Sequence, residues 1–188
     1  EEKYLQSSIE LTKSMIEQFW DEENGGFFFT ANNTDDSVPR LKQIYDGAVP
    51  SGNSVALYNL LRLARLSSEP SFEVYANKLL KAFSAEVNGQ PLGHTFILVG
   101  LDFVLGPTFN AVLVGDPSDK DAIAMHAALR KNYLPNLTVT MWKPEKIGVV
   151  PGVVYEKIDD KVTAYVCRNQ TCMPPTNRIE KMLELLKT

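Results

Sequence analysis

The densest set of side chains able to do chemistry lies in one irregular segment, Arg40-Leu41-Lys42-Gln43-Ile44-Tyr45-Asp46-Gly47-Ala48-Val49-Pro50-Ser51-Gly52-Asn53. Asp46 is of the type that serves as a general acid, a general base or an acceptor for a substrate hydroxyl. Arg40 and Lys42 carry charge suited to an anionic group, and Asn53 can orient a hydroxyl or an amide. The same residues have a structural use. Asp46 can fix a turn, Ser51 or Asn53 can cap the helix that follows, and Gly47 and Gly52 can serve backbone geometry.

Other chemistry-bearing residues are more scattered. Asp21, Glu22 and Glu23 form an acidic trio beside the aromatic run Phe27 to Phe29. Paired carboxylates hydrolyse glycosides when they flank the scissile bond at a defined separation. Neighbours on one turn seldom converge that way, so Asp21 reads as a turn-former, Glu22 and Glu23 as a solvated edge, and the aromatics as core. Cys167 and Cys172 have four residues between them, which matches neither a redox motif with two intervening residues nor a full zinc set. A local disulfide, half of a metal site and two ordinary thiols all fit that spacing, so the pair is assigned a redox or structural role rather than a catalytic one. No metal site is expected. His94 and His126 have no partner at ligand spacing and read as surface or satisfied core residues. Gly115-Asp116-Pro117-Ser118 stands between a strand and a helix, where phosphates often bind. Asp116 and Asp119 would oppose an anion there, and the segment lacks a glycine-rich signature, so nucleotide binding is not expected. A serine-hydrolase elbow, G-x-S-x-G, is also missing.

The bulk numbers describe an ordinary globular chain of 188 residues, 44% hydrophobic and 22% charged, with a formal net charge of -4. That balance argues against nucleic acid or an anionic membrane as partner. The longest apolar stretch, Thr95 to Gly106, contains Asp102 and is shorter than the roughly 20 residues a bilayer requires, so it reads as a buried helix. Sparing cysteine use points to a cytoplasmic setting. The chain begins Glu-Glu-Lys rather than Met, and is expected to be a processed or truncated product.

These residues need elements to hold them. Leu5, Ile9, Thr12, Ile16 and Phe19 recur at steps of four and three, the face of an amphipathic helix ending at Trp20. Asn24-Gly25-Gly26 followed by aromatics predicts a short hairpin or extended loop, and residues 31–50 predict a long loop. Leu57, Leu60, Leu61 and Ala64 mark a second helix. After Pro70, Phe72, Tyr75, Ala76, Leu79, Leu80 and Phe83 mark a third. Leu92 to Leu105 is apolar nearly all round and is expected to be enclosed on most sides. The pattern changes after Gly106-Pro107. Ala111 to Val114 predicts a strand buried on both faces, Ser118 and Asp121 a capped helix running to about Tyr133, and Leu137 to Trp142 a second strand, together a βαβ unit. Thr163 to Cys167 predicts another strand. Ile179, Met182, Leu183 and Leu186 predict a last helix, with Asn177 and Glu180 at capping-box spacing. The expected class is α+β, with helical hairpins and a short β-hairpin over residues 1–107 and a small α/β segment over 108–188.

Three stretches carry a resemblance: Phe19-Trp20-Asp21-Glu22-Glu23-Asn24-Gly25-Gly26-Phe27-Phe28, the segment Arg40 to Ala64, and Ala164-Tyr165-Val166-Cys167-Arg168 with Cys172 and Pro174. Their order and spacing resemble the C-terminal part of the YyaL / spermatogenesis-associated protein 20 family. The resemblance implies an N-terminal thioredoxin-like domain followed by an (α/α)6 toroid similar to those of sugar epimerases and six-hairpin glycosidases. Residues 1–107 would then be part of that toroid, with too few helices to close it. The covering surface would come from a missing N-terminal part of the same protein or from a second copy. By the same analogy, Asp46 would be the catalytic candidate at the cavity rim, with Arg40, Lys42, Ser51 and Asn53 binding a small-molecule sugar. Any epimerase-like or glycoside-hydrolase-like activity would belong to the full-length protein, the isolated chain being inactive. No cofactor is implied. The alternative is a non-catalytic structural or partner-binding module supporting a thioredoxin-like domain.

Overall fold

The computed structural model describes residues 2–35, 39–67, 69–142, 154–169 and 171–187. Among the described residues, helices and a small four-stranded sheet make an α+β chain. The chain forms two compact units: Glu1–Ala64 with Glu69–Val104, and Arg65–Ser68 with Leu105–Thr188. Among the described residues, no helix is long and apolar enough to cross a membrane.

The first unit is helical. α1 (Glu2–Phe19) turns Thr12 inward and packs Leu5, Ile9, Ile16 and Phe19 against the core, as the four-three spacing predicts. α2 (Gly52–Leu66) buries Leu57, Leu60, Leu61 and Leu63, and α3 (Ser71–Gly89) buries Phe72, Ala76, Leu79 and Phe83. Pro70 occupies the N-cap position of α3, where its fixed φ of -69° suits the entry and its missing N–H costs nothing. The segment expected as one helix from Leu92 is interrupted. Pro91–Gly93 forms a 3-10 turn, His94 leaves helical geometry at φ -137°, and α4 starts at Thr95 and ends at Leu105. α4 is also less enclosed than expected. Ile97, Gly100 and Phe103 are buried, whereas Val99, Val104 and Leu105 are exposed. Its apolar residues run all round, but the described chain covers only one face.

Among the described residues, the link between α1 and α2 is irregular apart from a single antiparallel bridge, Trp20 to Phe27. Trp20 anchors it, meeting Phe27 and Tyr75 edge to face at 5.0 and 4.9 Å.

The second unit is built on β1 (Phe109–Val114), β2 (Leu137–Trp142), β3 (Thr163–Arg168) and β4 (Thr171–Cys172), in the order β2-β1-β3-β4. β1 runs parallel to β2 and antiparallel to β3, and β3 pairs antiparallel with β4. With α5 (Lys120–Arg130) between β1 and β2, the βαβ unit forms as the alternation of apolar run, helix and apolar run predicts. Every residue of β1 is buried. Phe109, Ala111 and Leu113 share one core with Met125, Leu129 and Met182, while Val112 and Val114 meet Tyr155 and Tyr165. A period of two thus places alternate side chains in two separate cores.

Two helix starts differ from expectation. Asp119, not Ser118, caps α5 by accepting from the Asp121 N–H at 2.9 Å, because Ser118 is drawn into a turn by Asp116. The helix also stops at Arg130, leaving Tyr133 exposed. α6 (Ile179–Leu185) starts after Arg178 without a side-chain cap, so Asn177 makes no capping box there.

Candidate functional site

Four of the five candidates from residues 40–53 meet in the first unit, in two adjoining hydrogen-bonded clusters. The first begins with Asp21. Its Oδ1 accepts from the N–H groups of Glu23 and Asn24 at 3.0 Å each, which bends the chain sharply after α1. Gly25 and Gly26 continue the turn at φ +75° and +81°. A Cβ on Gly26 would lie 2.7 Å from the Phe83 ring, so a side chain is excluded by space as well as by conformation. Lys42 closes this cluster, donating from Nζ to Asp21 Oδ2 at 2.6 Å and to the Gly25 carbonyl at 2.9 Å. Burial pushes the Asp21 pKa up, but the Lys42 contact and the bonds from Asn24 and Glu23 outweigh it and hold the pKa at about 2. Asp21 is an ionised structural anchor.

Asn53 joins this turn to α2. Its Oδ1 accepts from the Phe27 N–H at 2.7 Å, and its Nδ2 donates to the carbonyls of Phe27 and Gln43 at 2.9 Å each. The side chain, only 3% exposed, closes both hydrogen-bonding groups of Phe27 as a strand neighbour would.

The second cluster centres on Asp46. Its Oδ1 accepts from the Ser51 N–H at 2.8 Å, and its Oδ2 accepts from the N–H groups of Phe96 and Ile97 at 2.7 and 3.2 Å. Phe96 and Ile97 stand in the first turn of α4, whose N-cap position is held by His94, a residue with no carboxylate or hydroxyl to offer. Asp46 caps that helix from outside it. Burial raises the Asp46 pKa, while the bonds from Ser51, Ser54, Phe96 and Ile97 lower it, and the balance leaves it below the ordinary value. Ser51 caps α2 in the usual local way, its Oγ accepting from the Ser54 N–H at 3.1 Å. His94 is 2% exposed, with Nδ1 2.7 Å from the Gln90 carbonyl, which can only accept, so that nitrogen is the donor.

Arg40 stands apart from both clusters. It is exposed, stacks on the Phe28 ring at 4.0 Å and donates to the Thr30 carbonyl at 3.2 Å. Glu22 and Glu23 are exposed beside the Asp21 turn. The arrangement as a whole ties a long loop to two helix starts, and its buried acceptors already hold backbone donors. Sequence spacing missed the Asp21–Lys42 ion pair, the two hydrogen bonds between Asn53 and Phe27, and the capping of α4. A usable signal existed for the last: α4 begins without a capping residue of its own.

In the second unit, Cys167 and Cys172 stand opposite each other on β3 and β4 and are joined in a disulfide. This selects one of the three states compatible with their spacing. Among the described residues, no group of three or more His, Cys, Asp or Glu side chains is placed to hold a metal. An open groove of about 500 Å³ runs along α5, lined by Pro117, Ala122, Ile123, His126, Ala127, Arg130 and Met141. It is mostly apolar, and His126 and Arg130 lie one helical turn apart.

No family model matches the chain. Spermatogenesis-associated protein 20 of Homo sapiens is 29% identical over 181 residues, which cover 93% of this chain and 23% of the human protein. The protein of the same name from Rattus norvegicus is 29% identical over 187 residues, 96% of this chain and 24% of the rat protein. An uncharacterized protein of Caenorhabditis elegans is 29% identical over 188 residues, 98% of this chain and 25% of its own length. The chain spans about a quarter of the length of these relatives. The matches run along nearly all of this chain, which is thus similar to a part of spermatogenesis-associated protein 20.

Proposed function

We infer that this chain is a non-catalytic structural and partner-binding module of a larger protein. The observation that carries the reading is the state of the Asp46 carboxylate. Both oxygens are occupied by backbone donors, three in all, and the residue is 8% exposed. A general acid or base needs a free lone pair or proton aimed at substrate, and Asp46 would have to release a helix cap to provide one. Lys42 and Asn53 are committed in the same way to Asp21, Gly25, Phe27 and Gln43.

The partner-binding part rests on α4. Val99, Val104 and Leu105 are exposed on a helix with one polar side chain besides Thr95, and Leu92 just before it is 89% exposed. These exposed side chains leave apolar surface on and just before α4 that a covering polypeptide would bury. The occupant we propose is the remaining polypeptide of a longer protein, since relatives extend over about four times this length.

A carbohydrate-binding role is the second reading, favoured by Tyr45, half exposed beside Asp46 on the same loop, where a sugar ring could stack. One experiment separates the two. A panel of monosaccharides and glycans is titrated into the chain while its melting temperature is followed, with Tyr45→Ala as control. The module reading expects no saturable shift from any sugar. A saturable shift lost in Tyr45→Ala would overturn it in favour of the second.

A further inference from the structure

The geometry points to the Cys167–Cys172 disulfide as a reversible thiol–disulfide exchange site, taking a dithiol as its reductant and Cys172 as the sulfur attacked. Three observations carry this. First, the bridge closes a very short loop: the two cysteines are five positions apart and face each other in the antiparallel register of β3 and β4. A bridge over so few residues removes little freedom from the unfolded chain, unlike one that staples distant elements. Second, the local fold has its own ties. Arg168 pairs with Thr171, the Met173 N–H donates to the Val166 carbonyl at 2.9 Å, and Ala164 and Thr176 exchange two backbone bonds at 2.7 and 3.0 Å. Those bonds, and Met182 buried against the sheet, do not require the sulfur link. Third, the two sulfurs differ in access. Cys167 is 1% exposed on an interior strand, whereas Cys172 is partly exposed on β4, at the edge of the sheet.

Access and a dispensable staple are the features of labile disulfides. A thiolate of the dithiol attacks Cys172 Sγ and forms a mixed disulfide. The Cys167–Cys172 bond breaks, and Cys167 leaves as a thiolate that takes up a proton. The second thiol of the reductant, on losing its proton, attacks its own partner sulfur and releases the Cys172 thiolate, which is protonated in turn. Two electrons and two protons pass to the protein, and the reductant becomes a disulfide. The consequence is a loosened β4 at the entry to α6.

The test uses the whole chain, first oxidised with oxidised glutathione and then equilibrated in native buffer with dithiothreitol and its oxidised form at a series of ratios. Free thiols are trapped with N-ethylmaleimide and counted by mass. The expected result is two adducts at high dithiothreitol, none after return to oxidised buffer, an unchanged far-ultraviolet circular dichroism spectrum, and faster hydrogen exchange over residues 171–176. Cys167→Ser and Cys172→Ser then compare the remaining thiols, with Cys172 labelling at least tenfold faster than Cys167. The assignment is overturned if the bridge resists dithiothreitol until urea unfolds the chain, if reduction itself unfolds the second unit, or if the two thiols label at the same rate.

Discussion

Asp46 Oδ2 lies 2.7 Å from the backbone nitrogen of Phe96, so a loop residue caps a helix fifty positions further along the chain. The same carboxylate holds the Ser51 N–H at the start of α2, and one side chain thereby fixes two helix starts and the end of the loop that leads into α2. Removing it strands donors at sites closed to water. Asp46→Ala is expected to cost about 3 kcal/mol, a lost cap plus at least one buried unsatisfied N–H. Asp46→Asn keeps one acceptor but turns an NH2 toward backbone donors, and is expected to recover little of that loss. Urea unfolding of the three proteins checks the order. An Asp46→Asn chain as stable as the parent would show that the second carboxylate oxygen contributes nothing.

The pairing of Asp21 with Lys42 makes stability depend on acid. The Asp21 pKa is about 2 in the folded chain against an ordinary 3.8. A depressed folded value means that the stabilisation is fully present above about pH 4 and is lost as pH falls toward 2. Its size is of order 2 kcal/mol, the side chain being only 8% exposed. Unfolding free energies measured from pH 6 to pH 2 should therefore fall more steeply for the parent than for Asp21→Asn. Lys42→Met should raise the Asp21 pKa and move the loss to higher pH. Parallel pH profiles for parent and Asp21→Asn would remove the ion pair from the account.

Local periodicity made much of the fold legible. The four-three spacing of Leu5, Ile9, Thr12, Ile16 and Phe19 gave α1, and the unbroken run Ala111 to Val114 gave a strand buried on both faces, because each pattern reports a neighbour within one turn or one pleat. Where sequence reading went astray, the deciding contact was of another kind. Ser118 has the right chemistry for a cap, but Asp116 two positions before it competes for its hydroxyl at 2.6 Å, and Asp119 takes the role. α4 is apolar on all sides, but composition does not say whether the covering surface lies within these residues. The segment around Asp46 is dense in polar groups. Its partners, Phe96 and Ile97, stand fifty residues away, and no local spacing encodes them.

Asn53 offers a sharper substitution than truncation. Its Nδ2 faces the carbonyls of Phe27 and Gln43, while its Oδ1 faces the Phe27 N–H. Asn53→Asp preserves shape and replaces the donor by a charged acceptor aimed at two carbonyl oxygens. It should destabilise by about 3 kcal/mol or more at neutral pH, as an uncompensated buried charge does. Lowering the pH protonates the new carboxyl, restores a donor and recovers part of the loss. The prediction is checked by the difference in melting temperature between parent and variant at pH 7 and pH 4. A gap that does not narrow at pH 4 would mean that the carbonyls are not the cause.

Gly100 sits inside α4, where glycine ordinarily costs about 1 kcal/mol relative to alanine. Its presence is explained by the approach of α2: a Cβ at this position would lie 2.6 Å from Leu57 Cδ2 and 2.9 Å from Leu57 Cγ. Leu57 is wholly buried and belongs to the same core as Ile97 and Phe103, so its branch point has nowhere to retreat. Gly100→Ala should therefore lose stability, by about 1–3 kcal/mol of overpacking, despite the gain in helix propensity. The cause is local and can be relieved: in a Leu57→Ala background the added methyl enters the vacated space, and Gly100→Ala should become neutral or stabilising. A double-mutant cycle from chemical denaturation reads the coupling between the two positions. If Gly100→Ala raised stability equally in both backgrounds, close contact between α2 and α4 at this point would be ruled out, and the glycine would need another explanation.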